Sequence, residues 1–156
     1  MSLLENQPES QKGLFCEFLP AARCLDFIGL NYYTRDFIRF RSFHGDGFVG
    51  EVCPKDHHRA QVRDYNSMGW EICSEGFYEV LKRLRKFNLP IMVTENGIAT
   101  LDDRQRVQFI QDHLGALRRA RLEGSDVIGY LHWSLLDNFE WAHGFEPRFG
   151  MVEVNY

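Results

Sequence analysis

Apolar residues in this chain follow two rhythms. Short unbroken runs of strand length alternate with longer stretches in which apolar positions recur every three or four residues. The first run, CLDFIGLNYY (Cys24–Tyr33), is apolar and aromatic and has strand length. A long connection follows from Thr34 to about Cys73, a length that is uncommon unless the loop has a function. Within it FIRFRSFHGDGFVGEV (Phe37–Val52) alternates around Asp46-Gly47, which predicts a small hairpin. From Ser74 to Phe87 the spacing becomes helical. Phe77, Val80, Leu81, Leu84 and Phe87 share one face, Ser74 is placed to cap the start, and Asn88 and Pro90 mark the stop. PIMVTENG (Pro90–Gly97) is a second short strand run. Asp102 to about Leu122 reads as a second helix with Val107, Ile110, Leu114 and Leu117 on its buried face. Asp102 and Asp103 suit its positive end. Arg118, Arg119 and Arg121 suit its negative end, where they are expected to be solvated. DVIGYLHWSLL (Asp126–Leu136) is the third strand.

Strand, loop, helix, strand, helix, strand is an α/β order that predicts parallel strands joined by crossovers. It also bears on Asn96-Gly97, which in isolation is a hairpin turn signal. Only Ile98-Ala99-Thr100 is available as a partner strand before the next helical stretch, so the pair reads instead as a tight turn at the carboxyl end of a parallel strand. Ligands gather at such ends in open α/β folds and barrels. Each strand run finishes in polar or aromatic residues: Asn31-Tyr32-Tyr33, Thr94-Glu95-Asn96 and His132-Trp133-Ser134. Buried polar groups are costly unless paired, so three such ends point to a shared site.

Composition narrows the function classes. The 156 residues are 44% hydrophobic and 26% charged, as in a globular chain, and make one domain the expectation, with residues 1–13 polar and loose. A net charge of −4 argues against a nucleic-acid binder, which needs a basic patch. Cys16, Cys24, Cys53 and Cys73 form no C-x-x-C pair and no zinc spacing. They read as free thiols of a reducing, cytoplasmic setting. His57-His58 reads as a polar loop. No apolar run is long enough to cross a membrane, and the first residues do not resemble a secretory signal. Nothing calls for a metal or a cofactor.

After the third strand the chain continues LLDNFEWAHGFEPRFG (Leu135–Gly150). Glu140 beside Trp141 joins a carboxylate, which accepts hydrogen bonds from sugar hydroxyls, to an indole that stacks on the apolar face of a sugar ring. A surface loop with a buried Trp anchor is the other reading of these two residues. Taken together, DFIGLNYYT, MGWEI, TENGI, HWSLLDNFEWA and RFG, in that order, closely resemble the carboxyl-terminal part of glycoside hydrolase family 1, the β-glucosidases, β-galactosidases and their relatives. The resemblance runs from about Leu25 to Tyr156.

The resemblance implies a partial (β/α)8 TIM barrel, with residues 1–156 supplying strands six to eight and their helices and loops. It implies a retaining β-glycosidase acting on β-glycosides, with Glu95 of TENG as the catalytic nucleophile and Tyr33 as its hydrogen-bonding partner. It further implies Asn31 facing the site, Trp133 flooring the sugar subsite, Glu140 and Trp141 binding sugar hydroxyls, and Phe149 lining the pocket. Retaining glycosidases use two carboxyl groups about 5–5.5 Å apart, one attacking and one donating a proton to the leaving oxygen. The family's acid/base glutamate sits in an NEP motif, and no NEP occurs here. The chain is therefore expected to be a fragment holding the nucleophile half of the site, since a barrel takes about 250 residues. Its expected partner is the missing amino-terminal half. An inactive sugar-binding or complementing module is the alternative.

Overall fold

The computed structural model describes residues 25–44, 47–53 and 64–156. In chain order the elements are β1 (Ile28–Asn31), β2 (Ile38–His44), β3 (Gly47–Val52), α1 (Ser74–Leu84), β4 (Ile91–Asn96), α2 (Asp103–Leu122) and β5 (Val127–His132). β1, β4 and β5 form a three-stranded parallel sheet in the order β1-β4-β5, and β2 pairs with β3 as a separate antiparallel hairpin. Residues 1–24, which include the polar start, Cys16 and Cys24, lie outside the described residues, as do Asp46 and His57-His58. Cys53 and Cys73 are free.

The architecture is thus α/β with parallel strands, and among the described residues the sheet is open rather than closed into a barrel. α1 connects β1 to β4 and α2 connects β4 to β5, and both helices pack on one face of the sheet. Phe77, Leu81, Ile91 and Val93 are fully buried there, with Tyr32, Tyr78, Ala120 and Val127 completing the core. Each large apolar side chain buried in this way contributes about 1.5–3 kcal/mol.

The helices depart from their predicted details in instructive ways. The cap of α1 is Cys73 rather than Ser74: its Sγ accepts from the Gly76 N–H. The helix stops at Leu84, passes into one tighter turn (Arg85–Phe87), and ends where Asn88 adopts a left-handed conformation, φ 51°. Phe87 is consequently carried off the apolar face and is exposed. In α2 the fully buried positions are Arg106, Phe109, His113 and Ala120; of the expected face, Leu117 packs against the core and Ile110 is half-buried, whereas Val107 and Leu114 are exposed. One residue is about 100° of helix, so the centre of the buried stripe lies about one position round from the expected one. A count of apolar letters passes over a buried Arg and a buried His. Asp102 does cap α2, accepting from the Arg104 N–H. At the other end Arg119 is not merely solvated: it grips both oxygens of Glu75 at 2.7 Å and lies 3.6 Å over the Tyr78 ring, tying α2 to α1. No described helix is long and apolar enough to cross a membrane.

Candidate active site

Because the three strands are parallel, all three polar ends emerge at the same end of the sheet. The ladder sets Asn31 opposite Glu95, and Asn96 opposite His132. Two residues beyond β1, the Tyr33 phenol donates to Glu95 Oε2 at 2.7 Å. Burial and then that hydrogen bond push the Tyr33 pKa well above its usual range, so the phenol stays a donor. Among the described residues nothing bonds to the other Glu95 oxygen. Tyr33 and Glu95 open into a cleft of about 410 Å³ whose walls are Trp70, Trp133, Phe149 and, on the outer side, Phe139, Glu140 and Trp141. All three tryptophans of the chain therefore line one cleft.

Each wall has its own support. Gly97 follows Glu95-Asn96 without a left-handed φ, so the Asn-Gly pair is not the positive-φ turn its letters suggest. Glycine is required for a different reason: a Cβ there would lie 1.8 Å from the Trp133 carbonyl oxygen. Arg106, buried in α2, donates to the carbonyls of Ile98, Thr100 and Phe149 at 2.6–3.2 Å, which joins the loop after β4 to the loop that delivers Phe149. Arg148 pairs with the buried Asp137 at 3.0 Å. Burial alone would raise the Asp137 pKa, but the Gly150 and Val154 N–H groups and Arg148 outweigh it and hold the carboxyl below its usual range. Asp137 lines a separate cavity with Arg106 and Arg148 and is not part of the lining of the Glu95 cleft.

The structure brings six of the seven predicted site residues to one cleft: Tyr33, Glu95, Trp133, Glu140, Trp141 and Phe149. Asn31 stands apart. Its side chain is exposed at the end of β1, where its carbonyl accepts from the Thr94 hydroxyl at 2.6 Å. Trp141 lies on the rim, 81% exposed, in a turn where its own φ is 46°. Phe149 is fully packed at the back, edge-on to Tyr33.

Trp70, in the MGWEI motif, is a cleft residue that the resemblance does not assign to the site. It meets the Tyr33 ring edge-on at 5.9 Å. Its loop is pinned by Asn66, whose carbonyl accepts from the N–H groups of Met68 and Trp70, and by Ser67, which donates to Ala99. The neighbouring Glu71 is buried and held in a two-pronged pair by Arg35 at 2.7 and 2.8 Å. The signal the sequence offers is only an aromatic next to an acid in a long loop; the burial of Glu71 is seen in the structure alone. Among the described residues no cluster of His, Cys, Asp and Glu is arranged to hold a metal.

Comparison with known proteins gives a consistent result. A family model described as glycosyl hydrolase family 1 matches residues 16–156. The beta-galactosidase of Saccharolobus solfataricus is 42% identical over 135 residues, covering 85% of this chain and 28% of the relative. Beta-glucosidase A of Thermotoga maritima is 39% identical over 145 residues, covering 85% of this chain and 30% of the relative. Among solved structures, a beta-glycosidase from Pyrococcus horikoshii superposes with a TM-score of 0.73 at 42% identity, over 84% of this chain and 30% of that one. The chain thus spans less than a third of the length of these relatives.

Proposed function

Since the chain belongs to glycosyl hydrolase family 1, we propose that it holds the nucleophile half of a retaining β-glycosidase site, on strands six to eight of a (β/α)8 barrel. The observation that supports this most directly is the 2.7 Å bond from the Tyr33 phenol to Glu95 at the base of an aromatic cleft. Tyr33 holds one carboxylate oxygen and leaves the other to attack the anomeric carbon of a β-glycoside. The glycosyl–oxygen bond to the leaving group breaks as the Glu95–carbon bond forms. The leaving oxygen takes its proton from an acid outside this chain, and water then hydrolyses the glycosyl ester. Trp133 gives the sugar ring a flat apolar surface, Glu140 and Trp141 take its hydroxyls and outer face, and Phe149 backs the pocket.

The cleft contains two carboxylates, Glu95 and Glu140. Glu140 is assigned to sugar binding, so the acid/base role has no residue here. This supports the companion reading that the chain works as a complementing module with the amino-terminal half of a barrel. The test is co-expression with the amino-terminal half of a family member, followed by labelling with a 2-deoxy-2-fluoro β-glycoside that carries a very good leaving group. A glycosyl adduct is expected on Glu95, and an adduct mapped to any other residue overturns the nucleophile assignment.

A further inference from the structure

Strict alternation along β4 would not aim Glu95 at the cleft. Ile91 and Val93 are buried against the helices, so a period of two would send Glu95 to that same buried side. The ladder shows why it escapes. Against β1 the register runs Leu30 with Val93 and then Asn31 with Glu95, skipping Thr94. Against β5 it runs Tyr130 with Val93 and His132 with Asn96. After Val93, strand β4 therefore carries one extra residue against both neighbours, although against β5 this offsets an extra residue of β5 at Ile128; it is a bulge that re-aims the side chains after it. Glu95 turns out to the cleft, and the buried slot passes to Asn96, which is fully enclosed.

The Asn96 carboxamide is used at both ends. Its Nδ2 donates to the Tyr32 carbonyl at 2.6 Å, and its Oδ1 accepts from the Tyr130 phenol at 2.9 Å. The main chain adds Tyr32 N–H to Glu95 O at 2.9 Å and Trp133 N–H to Asn96 O at 3.0 Å. One side chain thus spans all three strands at the level where Tyr33, Glu95 and Trp133 leave the sheet. We infer that Asn96 is a positioning residue that locks the β4 bulge and so sets Glu95 against the Tyr33 phenol, a role that rests on the reading of Glu95 as the nucleophile. The slot requires a donor toward a carbonyl and an acceptor toward a hydroxyl within one short side chain. Aspartate has the size but no donor when ionised, and leucine offers neither.

The test reads the Tyr33–Glu95 bond itself and needs no turnover. The chain is labelled with [13Cζ]-tyrosine, Tyr33 is assigned from Tyr33→Phe, and Glu95→Gln supplies the reference for a lost charged acceptor. In Asn96→Asp the Tyr33 resonance is expected to leave its wild-type position and move toward the Glu95→Gln value. Tyr130→Phe, which removes only the β5 end of the link, is expected to shift it in the same direction by less. Loss of stability without loss of the bond would leave the resonance of the folded form in place, so an unchanged Tyr33 signal in folded Asn96→Asp overturns the inference. Should that variant not fold, Tyr130→Phe decides alone, and an unchanged signal there overturns it. A fluoro-glycoside adduct on another residue would remove the nucleophile role of Glu95 but leave this readout intact. Conversely, an indifferent Tyr33 signal would leave the nucleophile role untouched.

Discussion

Among the described residues, Glu95 has one side-chain hydrogen bond, from Tyr33, which makes that bond a sensitive place to intervene. Tyr33→Phe keeps the ring that packs edge-on against Trp70 and Phe149 and removes only the donor. A hydrogen bond to a charged group is worth about 1.5–3 kcal/mol. If the bond matters as fully in the transition state, labelling of Glu95 in the paired enzyme is expected to slow roughly 10- to 100-fold. Stopped-flow or mass-resolved labelling rates check this, and an unchanged rate would separate Tyr33 from the chemistry. Gly97 is the second intervention point. A methyl group there meets the Trp133 carbonyl and its carbon, both backbone atoms that cannot swing aside. Gly97→Ala is therefore expected to cost about 1–3 kcal/mol or more and to shift tryptophan emission, because every tryptophan lines the cleft. Denaturant melts followed by fluorescence give both numbers. The letters Asn-Gly drew attention to this position through turn chemistry. Its actual constraint is contact with residue 133, thirty-six positions away, and no local pattern encodes that.

At the scale of elements, strand runs and their order were legible because unbroken apolar stretches and helical spacing are local signals. Parallel pairing followed from the order alone. The bulge in β4 was not legible, since one extra residue leaves TENG looking like an ordinary strand end. Nor was the buried face of α2, where His113 occupies a core position. That histidine stacks on Phe109 at 3.8 Å and faces Phe77 and Tyr32, with Nδ1 on the Phe109 carbonyl and Nε2 buried with no partner among the described residues. Burial lowers its pKa from 6.5 to about 4, with a further push from His132, against the Phe109 carbonyl and Asp112, which favour the charged form. The folded state thus resists a proton that the unfolded chain accepts. Stability is expected to be level above pH 6.5, to fall as pH drops from 6.5 to 4, and to level again below the folded value. The loss from this group alone is about 3 kcal/mol. His132, half-buried and lowered to about 4 by burial and then by Arg106, adds to the fall in the same window. Urea midpoints at pH 7, 5 and 4 measure the slope, and His113→Leu is expected to flatten it. An equal slope in that variant would place the acid sensitivity elsewhere.

At the scale of the whole molecule, the packed and unpacked faces divide the chain clearly. The helix side of the sheet is closed and contains the core. The outer edges of β1 and β5, and the segments beside them, expose Phe27, Ile128, Leu131, Leu135 and Phe139 to roughly half their area. Parallel strands are normally covered on both faces and at their edges, and uncovered edges recruit other chains. The sequence indicated this only indirectly, through a family resemblance and a missing NEP motif, because apolar letters do not say which neighbour they await. Two outcomes follow for the purified chain. Alone, it is expected to sediment as a concentration-dependent mixture of associated species, and to hydrolyse an aryl β-glucoside no faster than buffer. Mixed or co-expressed with the amino-terminal half of a family barrel, it is expected to sediment as one complex with a raised melting temperature. Binding to the folded form shifts apparent stability by mass action, so the rise should grow with the concentration of the added half. Hydrolysis should appear with the complex and vanish in Glu95→Gln while the complex persists. Turnover by the chain alone, or a complex whose activity survives Glu95→Gln, would show that the acid or the nucleophile had been placed in the wrong part of the molecule.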